Sequence, residues 1–245
     1  MKRSMVMGLG LALWLGASGA SAQEEGEAWA GWLSGNVAVT SDYAFRGISQ
    51  TLEEPAIQGG IDLEHPSGLY LGTWASSLNF GEAANPRAQV EMDVYGGFAF
   101  SPGGLFDLDL GAIYYGYPGS DERGYDFLEF NLGASRSFSL LDGGVSASYS
   151  PDYFGGSGEA WYYALDLGIP LSLLNLYGTV GRQLIEDNET FGTPDYTTWS
   201  LGVGVPVAGF ELLGQYVDTD LEDAECFGGG ELCGGRAIFS ISRGM

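Results

Sequence analysis

The sequence is poor in basic residues and histidine, and it has only one apolar stretch of any length. Of its 245 residues, nine are Lys or Arg, 32 are Asp or Glu, and one is His. The apolar stretch, Met5 to Leu15, is too short for a membrane helix, and no later segment has enough consecutive apolar residues to form one. A zinc site uses about four nitrogen or sulfur ligands, whereas this chain offers two cysteines and the distant His65. We therefore expect neither a metal site nor a cofactor.

The N-terminus has the three parts of a secretory signal peptide. A basic start at Lys2-Arg3 and the apolar stretch precede Ala20-Ser21-Ala22, which matches an A-x-A cleavage site. These features predict a cleaved signal peptide at residues 1–22 and one mature domain at residues 23–245. Because an exported protein meets oxidising conditions, Cys226 and Cys233 are expected to form a disulfide.

The charge of the mature chain is strongly negative. Without Lys2 and Arg3, seven arginines stand against 32 carboxylates, so the net charge is −25. Nucleic acid and anionic lipid headgroups are disfavoured as partners because such a chain would repel both. The excess of carboxylates over arginines has two open interpretations. It could keep the protein soluble in saline surroundings, or it could line an interior that favours cations.

Short segments of two-residue alternation recur from about Leu33 to the C-terminus. In Val90 to Val94 and in Phe106 to Leu110, apolar residues alternate with Asp or Glu. This period predicts strands with one apolar and one polar face. About twelve such strands fit the chain, and tight Pro/Gly turns such as His65 to Gly68 alternate with longer acidic connections. The pattern predicts a closed antiparallel transmembrane β-barrel with short periplasmic turns and longer external loops.

Strand pleating then predicts which side chains face the inside. Arg136 and Arg182 fall in outward register, and each sits near a predicted strand end or a bulge. The acidic faces of the strands should line the interior. The predicted pore-lining residues are Asp42, Asp62, Glu91, Asp93, Asp107, Asp109, Glu129 and Asp166.

Several segments resemble one bacterial family, the TorF-type porins. Gly35 to Tyr43, Phe45 to Thr51 and Pro55 to Gly60 are similar to the opening signature of that family. Tyr149 to Gly156 and Tyr216 to Asp220 are similar to later family segments. The resemblance covers essentially the whole mature chain. It implies an outer-membrane β-barrel with a channel function, and it assigns no site residues.

Catalytic and calcium-binding patterns are weak. His65 lies in a predicted turn, and the chain lacks a G-x-S-x-G motif. The pairs Glu91/Asp93 and Asp107/Asp109 have a spacing compatible with glycoside hydrolysis, but the same pattern recurs on many strands. The acidic loop at 218–223 lacks the glycine of a calcium loop. We therefore expect no enzymatic activity.

The function predicted from the sequence is passive diffusion of small solutes, preferably cations, across a bacterial outer membrane. The expected partners are outer-membrane lipid and these solutes. The main alternative is a closed structural or adhesin-type barrel without an open pore. A lipid-modifying barrel enzyme and a soluble secreted β-sandwich are further alternatives, and the sandwich would need a second sheet to cover its strands.

Overall fold

The computed structural model describes residues 32–81, 88–120 and 124–245, which form one closed antiparallel barrel of twelve strands. The signal peptide predicted at residues 1–22 lies outside the described residues. The barrel strands are β1 (Leu33–Thr40), β4 (Ala56–Glu64), β5 (Leu69–Ser77), β6 (Val90–Phe100), β7 (Asp107–Gly116), β8 (Phe127–Ser137), β9 (Asp142–Ser150), β10 (Ala160–Pro170), β11 (Asn175–Ile185), β12 (Tyr196–Val207), β13 (Phe210–Thr219) and β14 (Arg236–Gly244).

Small elements occupy the connections between the strands. Strands β2 (Ala44–Phe45) and β3 (Ile48–Ser49) form a separate hairpin. One turn of α-helix, α1 (Asn188–Phe191), and three 3₁₀ turns complete the described structure. The 3₁₀ turns are Pro102–Gly104, Asp223–Glu225 and Glu231–Cys233. No helix in these residue ranges has the length and hydropathy of a membrane span.

The two-residue alternation of the sequence appears directly as alternating burial. Along β6, Glu91 and Asp93 are 1 % exposed, whereas Met92 and Val94 are 54 % and 51 % exposed. Strand β8 behaves in the same way, with Glu129 inside and apolar neighbours outside. The barrel therefore has an apolar outer surface and a polar interior, the arrangement that suits a lipid surrounding.

The barrel closes between its first and last strands. Strand β1 pairs with β4 on one side and with β14 on the other, where Val39 is opposite Ile241. Every barrel strand thus has two hydrogen-bonded neighbours. This closure satisfies the backbone groups that an open sheet edge would leave unpaired in lipid.

The connections segregate by length to the two ends of the barrel. Five short turns, 65–68, 101–106, 138–141, 171–174 and 208–209, lie at the end where β1 begins and β14 finishes, which we call the turn end. Six longer connections, which follow β1, β5, β7, β9, β11 and β13, have their described residues at the opposite end, which we call the loop end. The predicted fold, with its twelve strands and alternating connections, is confirmed.

The first connection differs from the sequence-based expectation. From the alternation that begins near Leu33, Asp42 was expected to line the interior from a wall strand, but β1 ends at Thr40. Residues 41–55, which we call loop L1, instead fold into the barrel. Their alternation belongs to the small β2–β3 hairpin, which pairs with itself and not with the barrel wall. A two-residue period fits both structures, so periodicity alone could not separate them.

Candidate pore constriction

Loop L1 begins as a tight hairpin whose turn is set by two residues of positive φ. Arg46 has φ 47° and Gly47 has φ 90°, the pattern of a type I′ turn. A Cβ atom on Gly47 would lie 2.5 Å from Thr198 Oγ1 on β12. Glycine at this position therefore allows the turn to approach the barrel wall closely, and the turn carries the Arg46 side chain to its tip.

Arg46 joins L1 to the far wall of the barrel. Its Nη2 atom donates to both carboxylate oxygens of Glu129 at 2.7 Å, and its Nη1 atom donates to Gln183 Oε1 at 2.9 Å. Glu129 is on β8 and Gln183 is on β11, which flank the wall diametrically opposite the β1–β4 origin of L1. The loop therefore crosses the interior near the loop end.

The guanidinium of Arg46 is buried among aromatic rings. It lies 4.2 Å from the ring centroid of Tyr162 and 4.8 Å from that of Phe45. The side chains of Arg46 and Glu129 are 1 % and 2 % exposed. Buried arginine is favoured where carboxylate forks and ring faces meet, because the planar group can satisfy both at once. This contact is the strongest anchor of L1.

A second anchor ties the base of L1 to the last strand. Asp42 accepts hydrogen bonds from Ser49 and Thr51 within the loop, and it pairs with Arg236 Nε at 2.6 Å. Arg236 also donates through Nη1 to the Gly47 carbonyl at 3.1 Å. L1 is consequently fixed at its base to β14 and at its tip to β8 and β11.

The predicted disulfide is present and supports L1 from the loop end. Cys226 and Cys233 are bonded, with their Cα atoms 5.9 Å apart. Both are buried in a small cluster with Ile48 of L1 and Tyr196 of β12. The disulfide therefore braces the last loop against L1, a contact that sequence spacing alone did not predict.

Aromatic side chains fill the space beside L1. Tyr115 stacks on Phe127 with ring centroids 4.3 Å apart, and Phe127 contacts Tyr153 at 4.9 Å. Tyr115 and Phe127 are 1 % and 3 % exposed. Ile113 and Tyr117 belong to the same buried cluster. The half of the interior nearest the loops is thus packed by L1 and by aromatic rings.

Interior carboxylates in the half nearest the turns have hydroxyl partners. Tyr95 donates to Asp62, Tyr70 donates to Asp109 Oδ1 at 2.9 Å, and Thr179 donates to Asp166 Oδ1 at 2.7 Å. Glu211 accepts from the Tyr177 hydroxyl at 3.3 Å in the same way. Three of these four contacts are tyrosine–carboxylate pairs.

Glycines allow these tyrosine–carboxylate pairs to span an intervening strand. Tyr70 on β5 crosses Gly97 of β6 to reach β7, and a Cβ on Gly97 would lie 2.4 Å from the tyrosine hydroxyl. Tyr95 crosses Gly72 of β5 at a similar separation to reach β4. Each ring therefore lies along the wall and does not project across the interior.

The remaining predicted lining residues occupy different surroundings. Glu91 is buried and accepts a hydrogen bond from Tyr43 of L1 at 2.7 Å, while Asp93 is buried two residues further along β6. Asp107, the first residue of β7, is exposed at the turn end, where Ser101 donates to it. Asp42 lies in L1 and not in a strand.

The arginines are distributed unevenly. Among the described residues, the arginines inside the barrel are Arg46 and Arg236, both near the loop end and both ion-paired. Arg182 is outside, 3.6 Å from Asp220, and Arg136 lies outside over the Phe138 ring. The interior nearest the turns therefore carries carboxylates, and within the described chain no basic side chain offsets them there.

Sequence reasoning missed the two interior arginines. The acidic alternation indicated carboxylates only, while Arg46 fell in a predicted loop and Arg236 lay at the start of the last predicted strand. One signal was present: Phe45-Arg-Gly-Ile48 places Gly after Arg between two apolar residues, which is compatible with a two-residue hairpin turn. Nothing local to Arg46 could indicate partners more than 80 residues away.

The chemistry of a catalytic or metal site is not assembled in the described residues. No group of three or more His, Cys, Asp or Glu is placed to hold a metal ion within them. His65 lies in an exposed turn, where its Nδ1 contacts the Ser67 hydroxyl at 2.7 Å and also accepts from the Ser67 backbone N–H at 3.2 Å. This short-range contact shapes the turn between β4 and β5.

Solved structures with a similar fold include two porins and a FadL homologue. The KdgM porin matches with a TM-score of 0.57 and 7 % identity, covering 86 % of this chain and 98 % of its own. The NanC porin matches with a TM-score of 0.55 and 9 % identity, covering 86 % and 97 %. A FadL homologue from Pseudomonas aeruginosa matches with a TM-score of 0.50 and 12 % identity, covering 87 % and 75 %. These likenesses show that the fold is a porin-like β-barrel.

Sequence comparison places the chain in a family without assigning it an activity. No curated protein matches it. A family model does match, over residues 24–241, and its description is a bacterial protein of unknown function. That match covers L1 and all the barrel strands except the last three residues of β14. The chain belongs to this family, Gcw_chp.

Proposed function

We propose that this protein is an outer-membrane channel of the TorF-type porin kind, through which small solutes diffuse passively and cations pass in preference to anions. In this proposal, residues 1–22 are a cleaved signal peptide and residues 23–245 form the mature barrel. The long connections face the outside of the cell and the tight turns face the periplasm. The protein is not an enzyme.

The observation that carries the proposal is the charge of the interior. Asp62, Asp109 and Asp166 point inward and are held by hydroxyl groups. Both interior arginines of the described chain are already neutralised by Glu129 and Asp42. A narrow passage with low-dielectric walls concentrates the field of such fixed charges, raising the local concentration of cations and repelling anions.

Strand number supports a narrow passage. About eight strands leave an interior filled by side chains, whereas sixteen to eighteen leave a wide aqueous channel. Twelve strands lie between these limits, and L1 narrows the passage further. The KdgM porin has also been solved in complex with disordered oligogalacturonate, a polyanion. The carboxylate lining of the present barrel would repel such a solute, so we propose a different class of solute here.

A closed barrel is the second candidate, and one observation favours it. Arg46, Tyr115, Gln183 and Ile238 are all less than 10 % exposed inside the barrel near the loop end. A permanently seated L1 would leave the long loops as a rigid surface for binding other molecules. Planar-bilayer recordings separate the candidates, because a closed barrel inserts without producing steps of conductance.

Cation preference predicts a measurable reversal potential. Across a gradient of KCl, the wild-type channel should show the sign of a cation-selective pore, and the preference should weaken near 1 M salt, where the screening length falls to about 3 Å. Neutralising Glu91, Asp93, Asp107 and Asp109 together as Gln and Asn should shift the potential toward zero. A potential of the anion-selective sign would overturn the proposal. An unchanged reversal potential in the variant would indicate that the residues responsible for selectivity lie in the external loops.

Membrane insertion predicts a cost for charge on the outer surface. Val94 is 51 % exposed on the apolar face of β6. Asp at this position should lower the free energy of folding into lipid vesicles by about 1–3 kcal/mol, because acidic residues cost less there than Arg or Lys. Leu140, 80 % exposed in a turn, provides the control, and Leu140→Asp should change the same quantity much less. Equal effects of the two substitutions would argue against lipid at Val94.

A further inference from the structure

Asp93 is the least satisfied carboxylate of the described interior. The residue is 1 % exposed, and neither of its carboxylate oxygens has a hydrogen-bond partner within the described chain. Burial of an unpaired carboxylate is costly, so such a group in a folded protein is expected to hold a cation or a proton. The interior carboxylates nearer the turns differ, since each has a hydroxyl donor.

The charges beneath L1 do not balance. Asp42 and Glu129 are paired with Arg236 and Arg46 respectively. Glu91 has the Tyr43 hydroxyl as a donor, which carries no charge. Glu91 and Asp93 therefore form a pair of buried carboxylates with no arginine against them in the described residues. Because they are two residues apart on one strand, both point to the same side, roughly 6–7 Å apart along β6.

The surroundings of Asp93 also leave a donor unused. Trp74 on β5 is directly opposite Asp93, is 5 % exposed, and has no acceptor for its Nε1 atom within the described chain. The Tyr43 ring meets the Trp74 ring edge-on at 5.4 Å, and Tyr115 is opposite Asp93 on the other neighbouring strand. An unpaired N–H and an unpaired carboxylate thus face the same interior region, whose walls are aromatic.

This combination fits a small monovalent cation better than a divalent one. Calcium takes six to eight oxygen ligands, and magnesium demands a nearly complete octahedron. The described residues contain no group of three or more acidic, His or Cys side chains placed for a metal ion. A monovalent ion has a less strict coordination geometry, and water can complete its ligand shell. The two carboxylates supply its charge balance and the aromatic ring faces supply π-electron density, whereas the Trp74 N–H is a donor and takes no part in holding a cation.

We propose that Glu91 and Asp93 bind a small monovalent cation, Na⁺ or K⁺, between β6 and the inserted loop L1. The proposal rests on the proposed function in that an ion must reach this site through the barrel. It adds a discrete resting position for the ion beside L1, where Tyr43 of the loop contacts Glu91. The bound ion supplies the missing positive charge and thereby stabilises L1 in its inserted position.

Thermal unfolding of the purified, folded barrel in detergent tests this proposal without any measurement of current. Wild-type protein should melt about 2–4 °C higher in NaCl or KCl than in N-methyl-D-glucamine chloride of equal ionic strength, since an ion bound only to the native state stabilises it. Asp93→Asn should abolish the difference. Asp166→Asn, which removes an inward carboxylate bonded to Thr179, should retain it.

Several outcomes would overturn the cation site. Equal melting temperatures of the wild type in all three salts would exclude it at the concentrations used. A melting temperature that changes with pH but not with the identity of the cation would show that a proton neutralises Asp93 instead. If Asp93→Asn does not fold, Glu91→Gln replaces it, and the wild-type comparison among salts stands without any variant. A non-conducting barrel with cation-dependent melting would refute only the channel function.

Discussion

Replacing Arg46 with alanine should lower the free energy of unfolding of the barrel by about 3–5 kcal/mol. The substitution removes the only guanidinium that contacts Glu129 in the described structure, and it leaves that carboxylate buried at 1 % exposure. Gln183 also loses its charged donor. Most of this loss comes from the cost of burying the unpaired Glu129 carboxylate. The net stabilisation that the ion pair itself contributes is smaller.

Urea-dependent folding into lipid vesicles, followed by tryptophan fluorescence, measures this change. Arg182→Ala is the matched control, because Arg182 lies on the outer side of the barrel, 3.6 Å from Asp220, with both side chains more than 40 % exposed. Exposed pairs of this kind contribute about 0–1 kcal/mol. If Arg46→Ala and Arg182→Ala destabilise the protein equally, Arg46 does not sit inside the barrel.

Removing the Arg46–Glu129 ion pair without leaving an unpaired buried carboxylate should release the tip of L1. The single-channel conductance should then rise severalfold. In the double variant Arg46→Ala/Glu129→Gln, both members of the buried pair are neutral, so the barrel wall has no uncompensated carboxylate at β8. L1 then keeps its contacts with Arg236, the hydrogen bond from Tyr43 to Glu91 and its packing against the disulfide. The far wall of the barrel is no longer tied to the loop, and the interior beside β8 and β11 opens.

Planar-bilayer recording of the wild type and the double variant measures the conductance directly. Asp166→Asn is a suitable comparison because it alters an interior carboxylate and leaves the L1 contacts intact. A severalfold increase confined to the double variant would identify L1 as the constriction. Equal conductance of all three proteins would mean that ions follow a route that L1 does not obstruct.

The sequence predicted the barrel well because its determinants are local. The alternation in Val90 to Val94 indicates the two faces of a strand within five residues. The residue types in His65 to Gly68 indicate a turn within four residues. Twelve strands, an antiparallel closed sheet and the segregation of short and long connections follow from those signals. The disulfide was predictable because an exported protein meets oxidising conditions and because Cys226 and Cys233 are close in the sequence.

The contents of the barrel could not be predicted in the same way because their determinants are distant in sequence. Arg46 and Gln183 are 137 residues apart, and the hydrogen bond between them depends on how the sheet curves. Asp42 was expected at the end of a wall strand, but its interactions with Ser49 and Thr51 hold it inside a loop. Two-residue alternation predicts which face of a barrel strand points inward. It does not predict which loop or side chains fill the interior.

The segments that resemble TorF-type porins gain a physical meaning from L1. Phe45 to Thr51, the central part of that resemblance, contains the type I′ turn, Arg46 and the two hydroxyls that bond to Asp42. These residues contribute little to the outer wall. This part of the resemblance therefore lies in the inserted loop, whereas Gly35 to Tyr43 and Pro55 to Gly60 lie mostly on the wall strands β1 and β4.

The ion pair between Asp42 and Arg236 has a consequence for the order of assembly. The two residues are 194 positions apart and flank the seam where β1 meets β14. Contacts between distant parts of a chain form late, because a large loop must first be closed. Arg236 can therefore receive the base of L1 only when the last strand has arrived beside the first. The base of L1 is therefore fixed only after β14 has joined the sheet, and a barrel that lacks its last strand would lack this anchor.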